Sequence, residues 1–77
     1  MGRIRDVWGR RRRQLRDDVA RAVVEHRTER GWSQRELALR CGVSRRTIGR
    51  IETRQADPRP ALLDRLDRAL GGAPGRG

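Results

Sequence analysis

Residues 31–52 read GWSQRELALRCGVSRRTIGRIE, and this stretch holds two helix starts built in the same way. In the first, the Ser33 hydroxyl can cap the amides of the following turn while Glu36, three residues on, reaches back to the amide of Ser33. Trp32 and Leu37 flank them at the two positions of a hydrophobic staple. A helix is therefore predicted from Gln34 to about Arg40, stopped by Gly42, whose missing Cβ permits a left-handed backbone. In the second start, Val43 precedes the capping Ser44 and Ile48 takes the staple position, so a further helix is predicted over Arg45 to Glu52. Only Cys41 to Val43 lie between the two helices, and so short a turn forces them to cross steeply.

Upstream, Leu15, Val19, Ala22 and Val23 recur at three- and four-residue steps, which predicts a first helix from Leu15 to Arg30 ended by Gly31. Ile4 and Trp8 continue the same spacing, so residues 1–14 are read either as a basic arm or as an extension of that helix. Downstream, Ala56-Asp57-Pro58-Arg59-Pro60 is a loop, because proline lacks an amide donor and biases the residue before it towards extended backbone. Pro60 suits the first position of a fourth helix, whose apolar face is Leu62, Leu63, Leu66, Ala69 and Leu70 and whose end is marked by Gly71 and Gly72. Residues 72–77 are expected to be a disordered tail. The chain is thus all-α, a compact four- to five-helix unit over 15–71 with a helix-turn-helix at its centre and no strand-like alternation.

A chain of 77 residues makes one domain with a core of roughly a dozen apolar side chains. Its formal net charge is +10, from 20 basic against 10 acidic residues, and every basic residue is arginine. Part of that usage fits a GC-rich genome, but codon bias does not unbalance acid and base, so a polyanionic partner is implied. Nucleic acid comes first and an anionic membrane surface second. No run of apolar residues is long enough to span a bilayer, and residues 1–6 lack a signal-peptide core. A protein of the cytoplasm, from a bacterium or phage, is expected. One cysteine and one histidine cannot furnish the ligands of a zinc site, and Cys41 has no disulfide partner within the chain. No cofactor is implied. Nothing pairs a nucleophile with an acid or base at useful spacing, so an enzyme is not expected.

On the predicted third helix, Ile48 and Ile51 must face the core, which leaves Arg46 and Arg50 projecting together on the opposite side with Arg45 and Gly49 beside them. Arginine can donate two parallel hydrogen bonds to guanine O6 and N7, each such pair worth about 1–3 kcal/mol of discrimination. Arg45, Arg46 and Arg50 are therefore the candidate base-contacting residues, and Arg10, Arg11, Arg12 and Arg13 are candidates for phosphate contact.

The segment Gly31 to Gly71, with Ser33-Gln34, Glu36-Leu37-Ala38, Gly42-Val43-Ser44, Ile48 and Ile51-Glu52 in register, resembles the phage repressor family of helix-turn-helix domains, the Cro/cI or XRE-like group. The resemblance implies a lambda-repressor-like fold that binds double-stranded DNA as a homodimer. It implies that Gln34 lies at the groove edge, donates to phosphate and supports a neighbouring base reader, and that Ser44 and Thr47 cap the helix or touch phosphate. It also implies an ion pair between Glu52 and Arg27, either partly buried or exposed and of little worth. Trp32 departs from the family's usual aliphatic residue.

The leading expectation is a sequence-specific transcriptional regulator, a repressor that occupies an operator. Two alternatives stand beside it: an antitoxin-type autoregulator that grips a toxin through Met1–Arg13, and a protein-interaction adaptor. Cys41 reads as a packing residue, His26 as surface, and Trp8 as a residue that packs on the core, mediates a dimer or stays exposed. No small-molecule ligand is implied.

Overall fold

The computed structural model describes residues 12–71. The helix extension expected from Ile4, the role of Trp8, the contacts of Arg10 and Arg11 and the expected tail at 72–77 all lie outside these residues. Four helices follow in order: α1 (Arg12–Glu29), α2 (Gln34–Cys41), α3 (Arg45–Glu52) and α4 (Pro60–Leu70). Helix α3 packs against α1 and α2, and α4 closes against the same two helices. Val19, Val23, Leu37, Ile48, Ile51, Leu66 and Leu70 are buried where the four meet. Every helix contributes, which is how so short a chain removes enough apolar surface from water to fold.

Both predicted caps form. Ser33 accepts from the Glu36 amide at 3.0 Å, and Ser44 accepts from the Thr47 amide at 3.1 Å. Trp32 and Val43, the two staple residues, pack on the buried cluster that holds Leu37 and Ile48. The reciprocal half of the first cap does not form. Glu36 turns away from Ser33 and pairs with Arg40 Nε at 2.8 Å, one helical turn on, where an opposite charge is within reach.

Three helices end in the same hydrogen-bonded loop, in which a left-handed residue lets two successive amides fold back onto the last turn. Gly31 (φ 70) and Gly42 (φ 72) serve α1 and α2, as their sequence positions predict. At Gly42 the bonds are to Leu39 O at 3.3 Å and from Val43 to Ala38 O at 3.0 Å. The third such loop was not legible, because its left-handed residue is Arg54 (φ 64). There Arg54 N reaches Ile51 O at 3.1 Å and Gln55 N reaches Arg50 O at 2.8 Å. Helix α4 stops differently from the glycine stop expected, since Gly71 stays right-handed (φ −75) and remains bonded to Asp67 O. Gly42→Ala is expected to cost about 1–2 kcal/mol, read by urea titration. The added Cβ is strained at that φ and would meet the flexible end of Arg65 at 2.7 Å.

Several arginines serve the fold itself. Arg30 donates to Leu70 O at 2.8 Å and Arg65 to Cys41 O at 3.2 Å, each placing a cation at a helix C-terminus where the dipole is negative. Two guanidinium groups lie over the Trp32 ring, Arg40 at 4.1 Å and Arg30 at 5.6 Å from its centre. Arg16–Asp57 and Arg54–Asp17, both half-exposed, tie the α3–α4 loop to α1 and are each worth about 0–1 kcal/mol.

Cys41 is buried, and that burial pushes its thiol above the ordinary range, opposed only in part by the nearby Arg65 charge. Thiolate reagents are therefore expected to label native Cys41 slowly at pH 8 and the urea-unfolded chain at once. Because its folded pKa is raised, its contribution to stability is full below the unfolded thiol's pKa and declines as pH rises beyond it.

Candidate nucleic-acid interface

Helix α3 presents two faces fixed by its own register. Ile48 and Ile51 are buried, while Arg45, Arg46 and Arg50 are exposed on the other side with Gly49 between them. The side chains of Arg46 and Arg50, one turn apart, have no intramolecular hydrogen-bond or ion-pair partner among the described residues. Two cations held four residues apart in this way keep their full donor sets for an external acceptor. Ser44, at the start of the helix, meets Thr47 through their hydroxyl oxygens at 2.9 Å. One hydroxyl hydrogen closes that contact, which leaves the other available to an outside acceptor.

Behind this face lies a polar chain that joins three helices. Arg27 on α1 grips Glu52 at the end of α3 through two bonds, Nε to Oε2 at 2.7 Å and a terminal nitrogen to Oε1 at 3.1 Å. Their side chains are 15% and 7% exposed, so of the two readings left open, the partly buried pair is the one that exists. Arg27 also donates to Trp32 O at 2.9 Å, tying α1 to the residue before α2. Gln34, the first residue of α2, donates from Nε2 to Glu52 Oε1 at 2.9 Å. Its own Oε1 accepts from Arg45 at 3.1 Å. The structure thus brings together Arg27, Glu52, Gln34 and Arg45, residues that the sequence marked separately. The Gln34–Glu52 contact spans 18 positions and has no signature in local spacing. Arg12 and Arg13 begin α1, and Arg10 and Arg11 lie outside the described residues.

Two capped helices joined by a three-residue glycine turn, the second carrying an exposed cationic face, define a helix-turn-helix DNA-binding domain. The profile of the helix-turn-helix family, of XRE type, matches residues 23–75, and the chain belongs to that family. It is 49% identical over 49 residues to an uncharacterized HTH-type transcriptional regulator of Methanothermobacter thermautotrophicus, covering 64% of this chain and 71% of that protein. It is also 32% identical over 53 residues to the multiprotein-bridging factor 1 of Schizosaccharomyces pombe, covering 69% of this chain but 36% of that protein. No solved structure matches. Among the described residues, no helix is long and apolar enough to cross a membrane.

Proposed function

We propose that this protein is a sequence-specific regulator that represses transcription by seating α3 in the major groove of an operator. The observation that carries this reading is the pair Arg46 and Arg50, exposed on the face opposite Ile48 and Ile51 with no partner of their own among the described residues. With Arg45 they read guanine edges, each by a two-bond fork. Ser44, Thr47 and the free hydrogen of the Gln34 amide contact phosphates beside the groove, and Arg10 to Arg13 add sequence-independent, salt-sensitive affinity. Two copies bind half-sites about 34–36 Å apart.

Selection of bound sequences from a random duplex library at near-physiological salt tests the proposal. The parent is expected to return a guanine-containing half-site, single or palindromic, that disappears when Arg45, Arg46 and Arg50 are together changed to alanine. No motif, and equal binding by the triple variant, would reduce these arginines to counterions for phosphate.

That outcome would favour a second reading, an adaptor that bridges proteins. Two observations support it: the likeness to a multiprotein-bridging factor and the exposure of Leu39, a large apolar side chain 70% open to solvent. Three unneutralised arginines on one face count against it, since an adaptor gains nothing from their mutual repulsion. The antitoxin alternative rests on residues 1–13 and would be read by capture of a toxin that truncation of those residues abolishes.

A further inference from the structure

The Gln34 amide has one end that only donates and one that only accepts, and what decides which end faces α3 is Glu52. An ionised carboxylate accepts and never donates. Its Oε1 already receives Arg27 at 3.1 Å and receives Gln34 Nε2 at 2.9 Å. A flipped amide would set the Gln34 carbonyl oxygen against a carboxylate that is 7% exposed, two acceptors with no hydrogen between them. The unflipped amide directs Oε1 towards the start of α3. There it accepts from Arg45 at 3.1 Å and lies 4.0 Å from where a Cβ on Gly49 would stand, over the bare backbone between Arg46 and Arg50.

We infer that Glu52, clamped by Arg27, is a positioning residue for base reading: it polarises Gln34 so that an acceptor faces position 45, and thereby holds the Arg45 guanidinium in a set orientation before DNA arrives. A long side chain that would otherwise sample many rotamers is restrained through one of its terminal nitrogens, so less freedom is lost when its remaining donors engage a base. The polarity is also selective. An acceptor at Gln34 supports a donor at position 45 and opposes a carboxylate there, which commits the contacted base to one that offers acceptors in the major groove, as guanine does. The same carboxylate that joins α1 to α3 in the core thus reaches, through one amide, the edge of the recognition face.

This inference rests on the assignment of Arg45 as a base reader, and the test separates the two. The base read by Arg45 is first located as the position whose preference is lost in Arg45→Ala during sequence selection. Competition binding then measures discrimination at that base for two variants, Gln34→Met and the double change Arg27→Met with Glu52→Gln. The double change leaves no stranded charge, and Gln34→Met leaves the ion pair intact, so at least one variant keeps its fold by thermal melting. Discrimination at the Arg45 base is expected to fall about tenfold in each folded variant. Preference at the bases assigned to Arg46 and Arg50 should be unchanged in both variants, and affinity for random duplex unchanged in the double change, which a merely structural role for Glu52 would not produce; Gln34→Met also gives up its phosphate contact and weakens binding to every sequence alike. Parent-like discrimination in the folded variants overturns the inference while leaving the DNA-reading assignment in place. A parent with no motif, or a motif indifferent to Arg45→Ala, overturns both.

Discussion

Arg27→Met is expected to destabilise the domain by about 3–5 kcal/mol in urea titration, because it strands a buried carboxylate. Glu52 would keep only the Gln34 amide as a donor, and the Trp32 carbonyl would lose the guanidinium that it accepts from. Removing one partner of a buried pair costs far more than removing both, since the survivor bears its desolvation penalty without the compensating attraction. Small domains stand near the lower end of about 5–15 kcal/mol, so the single variant should retain only about 0–2 kcal/mol and be partly unfolded at physiological temperature. Its Tm should fall by at least about 12 °C, on the scale of about 4–8 °C per kcal/mol for domains of this size. The double variant Arg27→Met with Glu52→Leu, which removes both charges, is expected to recover most of the loss. A cost below about 1 kcal/mol for the single variant would mean that water reaches Glu52 and that the pair behaves like an exposed one.

Ile51→Ala is expected to cost about 2–5 kcal/mol, the combined loss of buried methyl and methylene groups and the cavity they leave. Ile51 is 1% exposed and belongs to the cluster that includes Val19, Val23, Leu37 and Ile48, so α1, α2 and α3 would all lose contacts. Its sequence neighbour Arg50 faces solvent, and Arg50→Ala should change stability by no more than about 0.5 kcal/mol. The contrast between adjacent positions is the check on register: equal losses at both would place the wrong face of α3 against the core. DNA binding should respond in the opposite sense at 25 °C, with Arg50→Ala weakening selection and residual folded Ile51→Ala retaining its preference.

The start of every helix with a side-chain cap was legible in advance. Helix α3 runs Arg45–Glu52 and α2 begins at Gln34, as Ser44, Ser33 and their staple partners require. These signals act within four or five residues, so local reading captures them. The local grammar fails where a third body intervenes. Glu36 pairs with Arg40 and leaves the Ser33 amide, and Arg54 takes a left-handed conformation while its side chain reaches Asp17. Nothing in the composition distinguishes an arginine that caps α4, such as Arg30, from one that faces solvent, such as Arg46. The candidate readers were found by periodicity, because two isoleucines three apart leave only one face for the arginines. Their connection to the core was not.

By itself the sequence determined the local elements: four helices, the glycine turn between α2 and α3, and the division of α3 into an isoleucine face and an arginine face. Capping, backbone freedom at glycine and helical period are all properties of neighbours along the chain, and they act before any tertiary contact exists. Packing of the helices sets which charges are buried, which arginines beyond local pairs such as Glu36–Arg40 are neutralised, and which way the Gln34 amide points. Those outcomes depend on partners 18 to 41 positions apart, such as Gln34 with Glu52 and Arg16 with Asp57. A charge's worth is set by the dielectric and donors around it, and these exist only once the helices have packed.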